Sequence, residues 1–274
     1  MIASFWSRRV LAAFCVVVFV AAIARAQAPA SQEEFVPEVG QAGKDVVWVP
    51  TPPELVETML NLAKVTPQDF VMDLGSGDGR NVIAAAKRGA RAVGVEFNPK
   101  MVELSKRTAA SAGVADRATF VEGDMYEADI SKASVMALFL LPSNMLQLRP
   151  KFLDLRPGSR IVSNTFGIEG WTPDETVTIE NGCSAWCTAL LWIVPAKVGG
   201  KWRIGDGDLV LDQQYQVVKG TLDRSAIADG KLRGDQIRFT VGTAEYTGRV
   251  VGNRMEGTVR GGGPATSWTA VKSN

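Results

Sequence analysis

The sequence contains no histidine. That removes the most common general base and the most common metal ligand from the chemistry open to the chain. Any proton transfer is left to carboxylates, Tyr, Lys, Cys or water. Cysteine is scarce too: Cys15, Cys183 and Cys187 are the only three. Two or three thiols without an imidazole make a poor zinc set, so no metal centre is expected. Neither sign of charge is in excess, with 30 Lys and Arg against 29 Asp and Glu and a formal net charge of +1. Nucleic-acid binding usually leaves a basic patch or stripe, so no nucleic-acid partner is expected. What the chain does have is 46% apolar residues over 274 positions. That is enough for a sizeable core in one large domain, or one plus a small one.

Residues 1–26 read as a targeting segment rather than part of the fold. Arg8 and Arg9 give a positive start, Val10 to Ala24 is apolar, and Ala24-Arg25-Ala26 is a small-x-small cleavage site. The apolar run is shorter than the roughly 20 residues a membrane span needs. The expected location is therefore exported, periplasmic or secreted, with the mature chain starting near Gln27. Anchoring by an uncleaved segment is the alternative, and the only route by which a membrane enters. Ser7-Arg8-Arg9-Val10-Leu11 also has the look of a twin-arginine signal. In an oxidising compartment Cys183 and Cys187 can pair. On one straight strand they would lie about 13 Å apart, too far to bridge, so pairing requires a turn. Asn181-Gly182 is nearby. A disulfide and two buried free thiols both remain open.

Residues 27–46 are polar, small and proline-containing, and read as a linker. Residues 47–196 then alternate between strand and helix patterns. Thr51-Pro52-Pro53-Glu54 has capping-box spacing before a helix with Leu55, Val56, Met59, Leu60 and Ala63 on one face. Buried strands are expected at Phe70–Leu74, Ala92–Glu96, Thr119–Glu122, Val135–Leu141 and Arg160–Ser163, with helices between them. That is an α/β pattern, a mostly parallel sheet with helices on both faces. Glu175–Ile179 and Ala185–Val194 break the alternation and read as a terminal antiparallel hairpin. Over 197–274 the pattern becomes short β-type runs between turn signals, a small C-terminal antiparallel β-domain or partial barrel. Strands are expected at Tyr215–Val218, Gln236–Val241, Tyr246–Val251, Met255–Val259 and Trp268–Val271.

The chemistry concentrates in Asp73-Leu74-Gly75-Ser76-Gly77-Asp78-Gly79-Arg80, where a buried strand turns into a helix. Glycines there permit a tight turn and close approach to a ligand. A dinucleotide motif wants its third glycine one residue later, where this chain has Arg80, which weakens an NAD-linked oxidoreductase reading. Asp73 places a carboxylate beside the glycines, which suits a cationic amine better than a pyrophosphate. Glu96 closes the next strand, where an acid can hold both ribose hydroxyls. Asp124, followed by Met125, closes the third strand and can take an adenine amino group. Amine, ribose and adenine in that order describe S-adenosyl-L-methionine (SAM).

On these motifs the stretch from Val47 to Trp171 resembles the class I SAM-dependent methyltransferases, whose fold is Rossmann-like. The resemblance assigns Asp73, Gly75, Ser76, Gly77 and Gly79 to the amino-acid end of the cofactor. It assigns Glu96 to the ribose, Phe97 to the neighbourhood of the adenine, and Asp124 and Met125 to the adenine itself. Val49-Pro50-Thr51-Pro52 with Asp73 to Arg80 is further similar to the protein-lysine methyltransferases related to those acting on ATP-synthase c subunits. Leu140-Leu141-Pro142, Leu148-Arg149-Pro150-Lys151 and Pro157-Gly158 resemble a group of exported bacterial relatives. In those relatives a His is expected after the serine of the fifth strand; here the position is Asn164. The Asn/Asp-Pro-Pro-aromatic signature of nucleic-acid amino methyltransferases is replaced by Leu140-Leu141-Pro142-Ser143. The resemblance therefore implies methyl transfer to a protein lysine or a small molecule. It identifies no catalytic residue, since alignment and exclusion of water carry most of such a reaction. The alternative is an exported SAM- or nucleoside-binding protein without catalysis, motivated by the scarcity of SAM outside the cytoplasm.

Overall fold

The computed structural model describes residues 35–180 and 183–273. The expected targeting segment, the first part of the expected linker and the Asn181-Gly182 turn lie outside the described residues. After helix α1 (Pro53–Leu62) the chain runs β1 (Phe70–Leu74), α2 (Arg80–Lys87), β2 (Arg91–Glu96), α3 (Pro99–Ser111) and β3 (Ala118–Glu122). It continues as β4 (Val135–Leu138), α4 (Pro142–Leu153), β5 (Arg160–Asn164), β6 (Glu175–Thr178) and β7 (Thr188–Ile193). These seven strands form one sheet in the order β3-β2-β1-β4-β5-β7-β6. The first five are parallel, and β7 runs antiparallel to both β5 and β6.

The strands are apolar on both sides because helices cover both sides. Val71, Val135 and Val162 face a core shared with α1, α2 and α3. Their neighbours Met72, Met136 and Ile161 face the opposite core, which holds Met145, Leu148 and Phe152 of α4. The period-2 alternation of each strand thus divides its side chains between two helical layers. Strand order reverses at β1, with β2 and β3 on one side and β4 and β5 on the other. The carboxyl ends of β1 and β4 therefore form the switch point at which open α/β sheets bind ligands.

Two local expectations change. Thr51 does not cap α1. The N-cap is Pro52, which makes no side-chain cap bond, and Pro53 opens the helix. Thr51 instead accepts from Arg80 through its carbonyl (2.6 Å) and from Asn164 Nδ2 through its hydroxyl (3.4 Å). The end of the segment read as linker is folded: the Gly40 N–H donates to the Trp48 carbonyl (2.8 Å) and the Trp48 N–H to the Gln41 carbonyl (3.0 Å).

The C-terminal region forms an eight-stranded closed barrel rather than a partial one. Its strands are β8 (Gly200–Ile204), β9 (Gly207–Gln214), β10 (Val217–Leu222), β11 (Ser225–Arg233), β12 (Gln236–Val241), β13 (Ala244–Val251), β14 (Arg254–Arg260) and β15 (Thr266–Lys272). Tyr215, read as the start of a strand, sits in the β9–β10 turn with φ 54°. Lys219-Gly220 and Asp229-Gly230, read as turns, lie inside β10 and β11 where the register shifts. Gly220 is required there for contact, since a Cβ would fall 1.9 Å from the Val210 carbonyl oxygen. The barrel interior is filled by Trp202, Phe239, Trp268 and Met255. Its β9–β10 turn docks on the connection between β5 and β6. Tyr215 stacks on the buried Trp171 (centroids 5.5 Å apart, planes 6° apart), and Gln216 Nε2 donates to the Thr172 carbonyl (2.7 Å). Trp171 is thus a core residue under the barrel, and its carbonyl accepts from Trp192 Nε1.

At the amino edge of the sheet one buried carboxylate ties three segments together. Asp69 accepts from the Thr66 N–H (2.8 Å), the Ser134 hydroxyl (2.7 Å) and the Arg160 guanidinium. Burial pushes the Asp69 carboxyl up, but these donors together outweigh it and hold the group below its ordinary value. A carboxylate with a depressed folded pKa stabilises the fold above its unfolded pKa, and that contribution disappears as pH falls through the folded value. Asp69→Asn is expected to cost about 1.5–3 kcal/mol at neutral pH. The loss should shrink toward zero as acid protonates the wild-type carboxyl. Urea unfolding of both chains between pH 7 and about pH 2 measures it.

Candidate cofactor cleft

The β1–α2 turn builds the floor of a cleft at the switch point. Gly75, Gly77 and Gly79 all hold left-handed backbone, with φ of 67°, 55° and 80°. Such conformations are costly for residues that carry a Cβ. Two of the three also need the space. A Cβ on Gly77 would meet the Trp48 indole at 2.7 Å, and one on Gly79 would meet the Phe120 ring at 2.6 Å. Gly79 does not line the cleft. It is the N-cap of α2 and lets the helix pack against β3 and Ser105. The other eight residues selected from the sequence all face the same cleft: Asp73, Gly75, Ser76, Gly77, Glu96, Phe97, Asp124 and Met125. The cleft is open to solvent on one side, and its space, the open mouth included, is about 840 Å³.

Each acidic side chain sits at a strand's carboxyl end but in a different setting. Asp73 is 3% exposed and accepts one bond from Asn81 Nδ2 (3.1 Å). Burial raises its carboxyl well above the usual range. The nearby Glu96 and Asp78 charges push the same way, against the Asn81 hydrogen bond. Glu96 joins two loops, accepting the Gly77 N–H on Oε2 and the Asn98 N–H on Oε1, each at 2.9 Å. Asp124 is already engaged: Oδ1 accepts the Tyr126 N–H (2.8 Å) and Oδ2 pairs with Lys44. The Lys44 hydrogen bond holds the Asp124 carboxyl below its ordinary value. Lys44 Nζ also lies 5.0 Å from the centre of the Phe97 ring, which is 51% exposed. Ser76 is buried, and its hydroxyl has no partner among the described residues.

Part of this wall comes from residues that no motif marks. Gln41 to Val46 line the cleft, as do Trp48, Asn81 and Phe139. A glycine- and charge-rich coil carries no period that would mark it as packed, and its one bulky aromatic neighbour is Trp48. Arg80 forms a two-point contact with Asp78 (2.6 and 3.0 Å) and fixes the start of α1 through the Thr51 carbonyl. Asn164, where a His is expected from the exported relatives, is fully buried.

A buried carboxylate short of a cation, an unpartnered hydroxyl and a glycine cradle without room for side chains fit the charged amino-acid end of a nucleoside cofactor. The arrangement defines an open α/β sheet with a cationic-nucleoside site at its switch point. Residues 73–175 match the ANTKMT methyltransferase domain family. A protein-lysine N-methyltransferase of Saccharolobus islandicus (strain REY15A) is 44% identical over 140 residues, covering 50% of this chain and 87% of that protein. The Mus musculus lysine N-methyltransferase of the ATP-synthase c subunit is 39% identical over 130 residues, and the match spans 52% of its length and 47% of this chain. A solved structure described as an RNA methyltransferase from Salinibacter ruber in complex with S-adenosyl-L-homocysteine is 46% identical, with a TM-score of 0.51. That match covers 55% of this chain and 96% of the other. The chain belongs to the class I SAM-dependent methyltransferases. SAM is its cofactor and the source of the methyl group it transfers.

The raised Asp73 carboxyl gives a pH signature. Free protein holds it neutral above the ordinary carboxylate range, while a cation beside it favours the charged form. SAM binding should therefore release a proton, and affinity should rise with pH across the acid range. Calorimetry in two buffers of different ionisation enthalpy reads the proton directly. Asp73→Ala should abolish that pH dependence. Asp73→Ala and Glu96→Ala should each weaken SAM binding by about 1.5–3 kcal/mol with the fold retained. Unchanged affinity in both would refute their assignment.

Proposed function

We propose that the chain methylates lysine side chains of a protein acceptor, and that it does so after export. The observation that carries the first part is the 44% identity to a protein-lysine N-methyltransferase over 87% of that protein's length. The site chemistry agrees. Asp73 takes the cationic amine of the cofactor, with Gly75, Ser76 and Gly77 around it, and Glu96 takes the ribose hydroxyls. Phe97 and Met125 would flank the adenine, and Asp124 would accept from its amino group in place of Lys44. The cofactor supplies a methyl group already activated on a sulfonium. Bound there, it would offer that carbon to an acceptor amine that has first lost its proton. Water or a cleft carboxylate receives it, so the absence of histidine is no obstacle. The protein's contribution is alignment, which is worth about 7–11 kcal/mol when geometry is good.

Export is supported by the 1–26 segment and by the bond between Cys183 and Cys187, a crosslink typical of oxidising compartments. The scarcity of SAM there keeps non-catalytic cofactor binding as the alternative. The Salinibacter ruber neighbour favours a second acceptor, RNA. A near-neutral net charge of +1 speaks against it.

The test uses the purified chain, tritiated-methyl SAM, and three acceptor pools: periplasmic proteins, washed membranes and total RNA. Label recovered as methyl-lysine after acid hydrolysis, and absent with Asp73→Ala, is the expected outcome. Label in RNA would replace the protein acceptor. Cofactor binding without transfer to any pool would favour the alternative. Fractionation of cells expressing the chain tests export, and retention in the cytoplasm would overturn it.

A further inference from the structure

Three aromatic rings meet beside the cleft, and none is among the residues assigned to the cofactor. Phe139 follows β4 and lines the cleft at the carboxyl edge of the sheet. Phe166 stacks on it (centroids 5.9 Å apart, planes 18° apart), and Trp186 leans against it at 6.0 Å and 60°. Trp186 remains 42% exposed, so the group is not simply core.

Unusual backbone places two of these rings. Thr165, with φ 55°, stands between Asn164 and Phe166, and the Phe166 N–H closes back on the Asn164 carbonyl. Such a three-residue turn is rare and strained for a β-branched residue. Trp186 itself has φ 53° and lies inside the short ring closed by the Cys183–Cys187 bond, whose Cα atoms are 5.8 Å apart. Thr165 and Thr188 join the two turns, the Thr165 N–H donating to the Thr188 carbonyl (2.6 Å). Strain of this kind persists only where surrounding structure enforces it, and it gathers at functional sites.

We infer that Phe139, Phe166 and Trp186 form the wall along which the acceptor's lysine side chain reaches the methyl donor, and that the disulfide ring holds Trp186 in that wall. The inference rests on the protein-lysine reading above. An apolar stem and a cationic head are what such a surface holds: the ring faces attract the ammonium, and their hydrocarbon packs on the methylenes. Each added methyl weakens hydration of the head without removing its charge. The wall therefore favours retaining a partly methylated lysine for another round.

The probe is N-acetyl-Nε-trimethyl-lysine amide, titrated into the full chain saturated with S-adenosyl-L-homocysteine. Its neutral analogue, with carbon in place of the charged nitrogen, is the control. The wild-type chain should prefer the cation by about tenfold. Trp186→Ala should remove most of that preference and Trp186→Phe should keep it. The Cys183→Ser/Cys187→Ser double variant, or wild type under reductant, should fall between. Affinity for S-adenosyl-L-homocysteine should be equal in all of them, which separates loss of the wall from loss of the fold. Equal binding of cation and neutral analogue by the wild type, or a Trp186→Ala variant that binds as wild type does, overturns the inference. Methyl-lysine formation that is indifferent to Trp186 sinks the wall and leaves the lysine reading intact. Label that never enters lysine sinks the reading itself.

Discussion

Asp73 ends the central strand with its carboxylate out of water, and no ion pair among the described residues reaches it. A buried charge without a partner opposes folding, and burial pushes the Asp73 carboxyl up from its ordinary value. The rest of the cleft is arranged around that deficit. The glycine turn brings backbone instead of side chains up to it, and Asn81 leaves it one hydrogen bond. Glu96 ties the glycine turn to the start of α3, so the second acid is held in a fixed relation to the first. A cationic ligand restores what the chain withholds. In that sense the fold stores binding energy as a local electrostatic debt.

The cofactor site was legible because its residues obey a rule of position. Asp73, Glu96 and Asp124 each lie at or just past the end of a parallel strand. In a sheet of this order those ends share one edge, so three separate sequence spacings converge in space. The layering was legible for the same reason: Val71 and Met72, or Val135 and Met136, differ by one residue and go to opposite cores.

What stayed hidden lacks such a rule. Phe139, Phe166 and Trp186 come from three connections with no common period, and only the tertiary structure brings them together. The Gln41 to Val46 coil packs through Trp48, Val46 and the Lys44–Asp124 pair, which its composition does not announce. The pairing of Cys183 with Cys187 was undecided because a straight strand forbids it, and a left-handed Trp186 resolves the geometry. In the barrel, Gly220 and Gly230 mark places where strands press closely or shift register, while the true β9–β10 turn falls on Tyr215-Gln216, which carries no turn chemistry. Barrel strands were undercounted for that reason.

The two sheets also differ in how far along the chain their partners lie. Every barrel pairing except β15–β8 joins consecutive strands. The cofactor sheet, by contrast, sets β1 beside β4 across two intervening strands. Loop-closure entropy is therefore spread thinly through the barrel and concentrated in one late seam, Trp202–Ile204 against Ala270–Lys272. The barrel hairpins close short loops and the seam closes the longest. All seven strands of the cofactor sheet precede β8, so a growing chain can complete that sheet while the seam's second strand is still unmade. Synthesis order thus gives the cofactor cleft a head start over the barrel that docks beside it.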